Sequence, residues 1–355
     1  MPSSGILQAE AKAEGMRVEN SISCTFFRIN YNSFNNFRYS MISRLNTIGS
    51  RANKKWFAIH DNSIKTDRLL ILMPLSSKCA IEQDEHSRGL IMELFRALHH
   101  PYIYPVLDLE LCNGHALAVL PYNSRGSLKD LIYKSTWSED YSRKYSSTGT
   151  GLPATQVARF GRQILEGLLF LKEKGFPPFR HLHSGNVMVQ NGVARLCGLE
   201  NTLVGATPRQ PARSAALERV EILSLGHVLF EMCAGTDTDL TLFKYIPTFK
   251  VVDIIEMIFS PHPPTLHELL LCELFRKIDL REMKGSCLPV STSLKEIYYL
   301  LYRKRVNSSE KIVGHSRKFS AQNMERSQQN NTVFKQCVAF LLVSKVTRAT
   351  GGNWG

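Results

Sequence analysis

The sequence has 355 residues, of which 43% are hydrophobic and 21% charged, a composition typical of a globular protein with a sizeable core. The eight cysteines are scattered, without a C-x-x-C pair or a zinc-ligand cluster, which excludes disulfide-rich and zinc-finger classes and indicates a reducing, intracellular compartment. Because no apolar run is long enough for a membrane helix and the first residues carry acids without an apolar core, we expect neither a membrane span nor a signal peptide, and a cytoplasmic location.

The formal net charge of +13 is concentrated at the C-terminal end. From Leu301 onward there are ten Lys and Arg residues against two acids. Because no RNA-binding motif or zinc finger accompanies this excess, a solvated tail explains it better than nucleic-acid binding does. A patch that meets an acidic partner or an anionic lipid is a further interpretation. We therefore predict a basic, disordered tail over residues 307–355 and no specific nucleic-acid partner.

The N-terminal part begins with a segment of low order. Residues 1–50 are polar, with clusters of Asn and Ser and little periodicity, which is typical of a flexible leader. Order is expected from about Trp56, where Trp56–His60 and Arg68–Leu75 are rich in aromatic and branched residues and predict two strands. Apolar residues at helical spacing in Leu90–His100 predict a helix that Pro101 ends.

Two further strands and a short helix complete this first part. Tyr102–Leu111 and His115–Tyr122 predict strands joined by a Cys-Asn-Gly turn. Gly126–Lys134 predicts a helix with Ser127 as its N-cap. Residues 135–153 are rich in Ser, Thr and Gly and predict a polar loop.

The second part of the sequence is dominated by helices. Ala154–Gly175 has apolar residues on one broad face, which predicts a helix, and Glu218–Gly235 is apolar nearly all round, which predicts a buried helix. Between them, Asn191-Gly192 predicts a tight hairpin. Two amphipathic helices, separated by the sequence PHPP, follow. The sequence thus predicts an α+β protein in two lobes, a strand-rich N-lobe over about 51–121 and a helical C-lobe over about 122–306.

The order of these elements resembles the two-lobed protein-kinase fold over about 56–305. Within Arg180–Asn186, the letters RHLHSGN resemble the catalytic loop R-D-L-K-x-x-N. Arg195–Glu200 lies where kinases carry the metal-binding D-F-G segment, and Ser224–Met232 resembles the core helix S-L-G-x-x-L-x-E-M. Gln163–Leu171 resembles the helix before the catalytic loop. Several such segments in the right order are hard to obtain by chance.

The resemblance implies that the charges on the nucleotide side of the cleft have been lost. A kinase covers the phosphates with a glycine-rich loop, but between Arg17 and Arg88 the only glycine is Gly49. Met73 occupies the place of the strand-three lysine, and Ile91 the place of its glutamate partner. Since phosphoryl transfer depends on positioned charges, this pair cannot hold a phosphate.

The catalytic loop and the metal segment are altered in the same way. His181 stands for the catalytic aspartate, His183 for the lysine two residues later, and Gly198 for the D-F-G aspartate. Asn186, the other metal-ligand position, is retained, but one asparagine cannot hold a magnesium–nucleotide complex. The resemblance therefore implies no catalytic residue, no metal site and no cofactor, neither ATP nor magnesium.

Each of these positions also has a structural interpretation. Met73 and Ile91 are typical of packed core side chains. The two catalytic-loop histidines lack a third ligand nearby, so hydrogen bonding within the loop is favoured over a metal pair or a general base. Asn186 suits bracing of the loop backbone, and Gly198 suits a turn. Glu221 replaces the aspartate that ties the core helix to the catalytic loop in kinases and has a longer side chain for the same purpose.

The sequence around the catalytic loop narrows the resemblance to one branch of the kinase-like proteins. HLHSGNVMVQNGVARLCGLENTLVG, with PTLHELLLCELFRKIDLREM later, is similar to the kinase-like branch of the slowpoke-binding and phox-domain kinase-like proteins. About 50 residues before Trp56 leave no room for a phox domain of roughly 100 residues, so the slowpoke-binding type fits better. The resemblance implies a pseudokinase that regulates a calcium-activated potassium channel, binds 14-3-3 proteins and reaches the membrane through a protein partner.

Two alternatives and two regulatory candidates remain open at this point. An atypical, weakly active serine/threonine kinase that binds ATP would need replacement charges, for instance from Lys78 or Glu200. Recognition by 14-3-3 would need a phosphorylated residue in a basic context, for which Ser320 and Thr47 each follow an arginine by three residues. Because this pattern is common by chance, both are candidates only.

Overall fold

A computed structural model describes residues 38–282, apart from residues 52, 78, 80, 83, 113, 209–216, 237–248 and 281. The strands in this part of the chain are β1 Tyr39–Arg44, β2 Lys55–Asp61, β3 Thr66–Pro74, β4 Asp108–Cys112, β5 His115–Pro121, β6 Val187–Gln190 and β7 Val193–Leu196. The helices are α1 Glu85–Ala97, α2 Leu128–Tyr133, α3 Tyr141–Lys144, α4 Ala154–Glu173, α5 Glu200–Leu203, α6 Leu217–Ala234, α7 Phe249–Ile258, α8 Leu266–Leu271 and α9 Glu273–Arg276. The predicted tail at 307–355, with Ser320, and the candidate Lys78 lie outside the described residues.

The N-lobe is a five-stranded antiparallel sheet in the order β1-β2-β3-β5-β4. Because successive side chains of a strand point to opposite faces, β3 contributes to two clusters. Leu70 and Leu72 pack in a small cluster on one face. Leu69, Ile71 and Met73 pack on the other, in the large core that also contains residues of α1 and of the C-lobe. Both faces of the sheet thus carry buried side chains, and the face that contributes to the large core borders the cleft between the lobes.

The structure corrects the predicted leader. Tyr39–Arg44 forms β1, which pairs with β2, although residues 1–50 were expected to be flexible and order was expected only near Trp56. The strand lies at the edge of the sheet, and of its side chains only Tyr39 is buried. An exposed edge strand has no continuous apolar face, so it lacks the pattern by which strands are predicted.

The C-lobe is built on two long helices, as predicted. α4 buries most of its apolar face and contacts α6, which carries the fully buried Leu225, Leu229 and Met232. The hairpin of β6 and β7 turns at Asn191 and Gly192, which have φ of 54° and 73°. Positive φ at both central residues is the geometry that Asn-Gly favours. The α+β, two-lobed kinase-like fold is therefore confirmed.

Three local predictions need adjustment. α1 begins at Glu85 rather than Leu90, because the Asp84 carboxylate accepts the Ser87 amide and caps it. The strand expected over Tyr102–Leu111 is shorter and begins at Asp108. The polar loop at 135–153 contains the short helix α3, in which Lys144 is only 4% exposed. Within the described residues, no helix has the length and apolar character to cross a membrane.

The candidate site in the cleft between the lobes

A cavity of about 110 Å³ lies between the two lobes. Its upper wall comes from the β1–β2 loop (residues 45–54) and from β2 and β3, and its floor from the residues around Asn186 and Gly198. Residues between β5 and α4, among them Trp137 and Tyr141, form its outer side. The cleft therefore brings together His183, Asn186 and Gly198 of the positions that the kinase resemblance singled out.

The β1–β2 loop is tied to the C-lobe by hydrogen bonds across the cleft. The Tyr141 amide donates to the Thr47 carbonyl at 2.8 Å, and the Asn46 side chain donates to the Ser138 carbonyl at 3.3 Å. Next to this contact, hydrogen bonds from Ser142 lower the pKa of the Asp140 carboxylate. In kinases the loop at this place covers the phosphates. Here it is held down by C-lobe atoms instead.

A second tie joins the end of this loop to the catalytic-loop segment. Arg51 donates through Nη2 to the Thr207 carbonyl at 2.6 Å, and the same nitrogen lies 3.4 Å from Nδ1 of His181. Facing a guanidinium donor, Nδ1 acts as the acceptor, so the ring proton is assigned to Nε2. His181 is 5% exposed. It does not line the cavity and is contacted by an arginine, which is the arrangement of a packed loop residue.

The cleft contains a buried ion pair that joins the lobes. Nζ of Lys54, just before β2, lies 3.3 Å from Oε1 of Glu200, the first residue of α5. The side chains are 8% and 1% exposed. Burial first, and then the nearby Glu200 carboxylate, raise the pKa of the Cys197 thiol. Lys54 also lies 5.8 Å from the centre of the Trp56 ring. The pair therefore occupies the inner end of the cleft.

Asn186 and Gly198 form the floor of the cleft. The Asn186 side chain donates to the His181 carbonyl at 2.8 Å, and the main-chain carbonyl of Asn186 accepts the Cys197 amide at 2.9 Å. Gly198 has φ of 85°, and a Cβ there would lie 2.7 Å from Nδ2 of Asn201. A side chain at this position would be strained in backbone and clash with its neighbour. Asn186 thus braces the loop, and Gly198 serves as a turn residue.

At the two N-lobe positions where kinases carry the paired lysine and glutamate, this chain has buried apolar side chains. Met73 and Ile91 are 3% and 1% exposed and lie in the same core cluster. Glu93, two residues further along α1, is exposed and faces away from the core. These side chains stabilise the packing of α1 on the sheet, and neither Met73 nor Ile91 lines the cavity.

Glu221 ties the core helix α6 to the catalytic-loop segment. Its Oε1 accepts the amide of Phe179 at 2.6 Å, in a buried environment. Phe179 is itself fully buried. The longer glutamate therefore makes the backbone contact considered for it in the sequence analysis, and its role is structural.

The other lysines of the cleft are paired with acids. Nζ of Lys144 lies 2.9 Å from Oδ1 of Asp130, which also accepts the Tyr145 hydroxyl at 2.8 Å. Nζ of Lys129 lies 3.1 Å from Oε1 of Glu231. Together with the Lys54 pair, these contacts neutralise the lysines that line the cavity. Among the described residues, no group of three or more His, Cys, Asp or Glu side chains has an arrangement that holds a metal ion.

Comparison with known proteins places this chain in a family. No protein-family model matches the chain. Slowpoke-binding protein of Drosophila melanogaster is 48% identical over 282 residues, which are 71% of this chain and 55% of that protein. PX domain-containing protein kinase-like protein of Mus musculus is 31% identical over 302 residues, 80% of this chain and 52% of that protein. The chain belongs to the branch of the protein-kinase-like superfamily that contains slowpoke-binding protein and PX domain-containing protein kinase-like protein.

Other members of the slowpoke-binding branch point the same way. A probable inactive serine/threonine-protein kinase of Dictyostelium discoideum, slob2, is 34% identical over 256 residues, 67% of this chain and 44% of that protein. The chain spans about half the length of the curated relatives it matches. Within this branch, its kinase-like domain is a pseudokinase domain, because Met73, Ile91, His181 and Gly198 replace the charged groups of phosphoryl transfer.

Two features of this cleft were not predicted from the sequence. Lys54 was not identified, because residues 1–50 were predicted to be flexible and order was expected only near Trp56, whereas β1 and β2 enclose a loop that contains Lys54. The ties of that loop to α3 were missed because residues 135–153 were interpreted as a polar loop. Glu200 was named as a possible replacement charge, and the structure places it in the cleft, paired with Lys54.

Proposed function

We propose that this pseudokinase is a binding and regulatory protein that modulates a calcium-activated potassium channel through protein–protein contacts and does not transfer phosphate. The name of its Drosophila melanogaster relative, slowpoke-binding protein, supports a channel partner. The protein would act in the cytoplasm and reach the plasma membrane through that partner.

The observation that carries the proposal is the use of the cleft for internal contacts. A kinase keeps its cleft lysine and its metal carboxylate available for the nucleotide. Here Lys54 is paired with Glu200, and the metal-carboxylate position is Gly198, with a backbone in which a side chain is strained. This supports a protein without ATP or magnesium as cofactors, whose outer surfaces, rather than its cleft, meet the partner.

The proposal is tested on the purified chain with the cytoplasmic region of a calcium-activated potassium channel. We expect saturable binding by calorimetry and no transfer of labelled phosphate from ATP to a peptide or to the channel region. The charge-preserving variant Lys250→Arg, at an exposed ion pair, serves as a folded control. Transfer that is lost in His181→Ala or Asn186→Ala would show instead the weakly active kinase considered as the alternative. Absence of channel binding would overturn the partner.

Recognition by 14-3-3 proteins is part of the same proposal. Such proteins bind phosphorylated segments in a basic context. Thr47 is exposed, but its backbone carbonyl accepts the amide of Tyr141 in α3, so we propose that this loop is released before it is recognised. Capture of the phosphorylated chain on immobilised 14-3-3 is compared for wild type, Thr47→Val and Ser320→Ala. Capture that both variants retain would eliminate these two sites.

A further inference from the structure

The N-lobe sheet has a second buried apolar cluster on the face opposite the large core, which we call the outer face. Its members, each at most 4% exposed, are Tyr39, Phe57, Ile59, Leu70, Leu72, Leu117 and Val119. Among the described residues, Leu107 is the only further apolar side chain packed against them. A sheet face in contact with water leaves such side chains partly exposed, because burial requires another element packed on the face. These exposures are those of one chain by itself, which points to a cover that the chain supplies.

The residues that follow Glu282 leave the described part of the chain close to the N-lobe. Oε2 of Glu282 accepts the Tyr102 hydroxyl at 3.0 Å, and its Oε1 accepts Nη2 of Arg159 at 3.1 Å. Tyr102 stands six positions before Asp108, where β4 begins, a distance of at most about 20 Å along an extended chain. Residues 283–293 span up to about 36 Å when extended. A segment that begins at position 294 therefore has enough chain before it to reach the sheet.

The sequence from Ser293 onward predicts an amphipathic helix. Ser293 followed by Glu296 is a capping box, which predicts that the helix begins at Leu294. Apolar side chains at helical spacing form one stripe, which consists of Leu294, Ile297, Tyr298 and Leu301. Residues 303–305 are all basic, which is favourable in the last turn of a helix. A helix over 294–305 is about 18 Å long, and five strands extend over about 19 Å, so one helix can cross the face.

The charge at one border of the outer face matches this segment. Asp108 and Glu110 of β4 lie opposite two members of the cluster in β5, so their side chains share the outer face. They are 7% and 9% exposed, and burial raises the pKa of Asp108. Nε of Arg88 lies 3.1 Å from Oε2 of Glu110. Further positive charge is favourable beside buried acids. Residues 294–305 carry four basic side chains and one acid, whereas residues 1–37, attached at the other end of the sheet, carry three of each.

We propose that an amphipathic helix over 294–305 docks on the outer face of the N-lobe sheet, with its apolar stripe on the cluster and its basic end beside Asp108 and Glu110. The chain after α9 then joins the C-lobe to the side of the N-lobe that is opposite the cleft. The sequence analysis assigned residues up to about 306 to the C-lobe, and this docking assigns the last of them to the N-lobe surface. The inference goes beyond the proposed function, because it concerns a contact within the chain that holds with or without a channel partner.

Photo-crosslinking of the purified full chain tests this docking without a destabilising change. The photoreactive amino acid benzoylphenylalanine replaces either Tyr298 or Tyr299, and mass spectrometry maps the peptides to which it couples. Successive helical residues point about 100° apart, so Tyr298 belongs to the apolar stripe and Tyr299 does not. We expect adducts with peptides of β2, β3 or β5 from position 298 and loss of these adducts from position 299. Adducts from position 298 that are confined to C-lobe peptides, or equal adducts from both positions, would overturn the proposal.

Two other occupants of the outer face give different crosslinks. The same probe at Phe27 or Phe34 tests residues 1–37, and adducts of these positions with β2, β3 or β5, with none from position 298, would assign the cover to that segment instead. A mixture of isotopically labelled and unlabelled chains tests a second copy. Adducts from position 298 that join labelled to unlabelled chains would replace the docking within one chain by an interface between copies. Adducts within single chains support the proposal.

A matched pair of substitutions measures the contribution of the docked helix to stability. Tyr298→Asp places a carboxylate against the apolar cluster, which is unfavourable without a partner, and should lower the urea midpoint of the full chain. Tyr299→Asp adds the same charge to the same helix outside the stripe and should leave the midpoint close to that of the wild type. Equal midpoints of the two variants would contradict the docking. The channel-binding assay uses the unsubstituted chain, so failure of this inference leaves the proposed function standing.

Discussion

Replacing Lys54 with methionine tests whether the buried pair with Glu200 holds the lobes together. Methionine keeps most of the length of the side chain but removes the ammonium, and the carboxylate that remains is only 1% exposed. Breaking one side of a buried ion pair costs about 3–5 kcal/mol, because an unpaired charge stays in the protein interior. We therefore expect Lys54→Met to lower the free energy of unfolding by about 3–5 kcal/mol.

The complementary changes complete a double-mutant cycle. Glu200→Met leaves the Lys54 ammonium without its acid but near the Trp56 ring, which offsets a part of the loss, so we expect a smaller cost of about 2–3 kcal/mol. When both residues become methionine, no buried charge is left, and stability should lie within about 1 kcal/mol of the wild type. The change in the free energy of unfolding of the double variant, minus the sum of the changes in the two single variants, is the coupling energy of the two side chains.

The assay is urea denaturation followed by tryptophan fluorescence, with the midpoint and slope giving the free energy of unfolding. Lys250→Met is the matched control, since Lys250 and Glu273 form an ion pair with both side chains more than half exposed. Such surface pairs contribute little, so this variant should change stability by less than about 1 kcal/mol. Additive costs in the Lys54 and Glu200 variants, or a cost of Lys54→Met no greater than that of the control, would refute the reasoning.

Three further outcomes follow from contacts elsewhere in the C-lobe and its borders. Glu221→Ala leaves the buried amide of Phe179 without its acceptor and should cost about 1–3 kcal/mol in urea denaturation, whereas an unchanged midpoint would contradict the anchoring role. Burial lowers the pKa of His100 to about 4, so its neutral form stabilises the folded state fully above pH 6.5, and this contribution is lost as the pH falls from 6.5 towards 4. A His100→Phe variant should therefore lose less stability over this pH range. Equal slopes of the free energy of unfolding against pH in the two proteins would argue against this role. Gly198→Asp should lower the melting temperature, by a backbone cost of about 1–2 kcal/mol and the clash with Asn201, without gain of phosphate transfer in a radiometric assay.

The parts of the fold that sequence predicted best carry strong local signals. The hairpin at Asn191 and Gly192 follows from residues that adopt positive φ easily, and the start of α2 follows from a serine N-cap whose hydroxyl accepts the Asp130 amide. The buried helix α6 follows from a run that is apolar on all sides. The expected loss of charges rests on motifs of fixed spacing for His181 and His183, and on counting back from His100 and Pro101 for Ile91.

The parts that sequence did not predict depend on contacts between distant segments. Strand β1 is exposed along most of its length, so its residues resemble those of a loop. Lys144 and Tyr145 resemble surface residues in the sequence, yet Lys144 is buried and Tyr145 half-buried, and both bond to Asp130. Lys54 likewise becomes a cleft residue only through a partner 146 positions away in the sequence. Pairing of polar groups across such distances has no local pattern.

The ties across the cleft and the loss of catalytic charges have a common physical consequence. An enzyme with a cleft between lobes opens and closes in each turnover, because substrates enter and products leave through it. In this chain, three contacts oppose that opening: the Tyr141 amide with the Thr47 carbonyl, Arg51 with the Thr207 carbonyl, and Lys54 with Glu200. For a binding protein the same contacts are favourable, since surfaces held in one arrangement lose less conformational entropy when a partner binds. For the binding function proposed above, these contacts would therefore preorganise the two lobes for recognition.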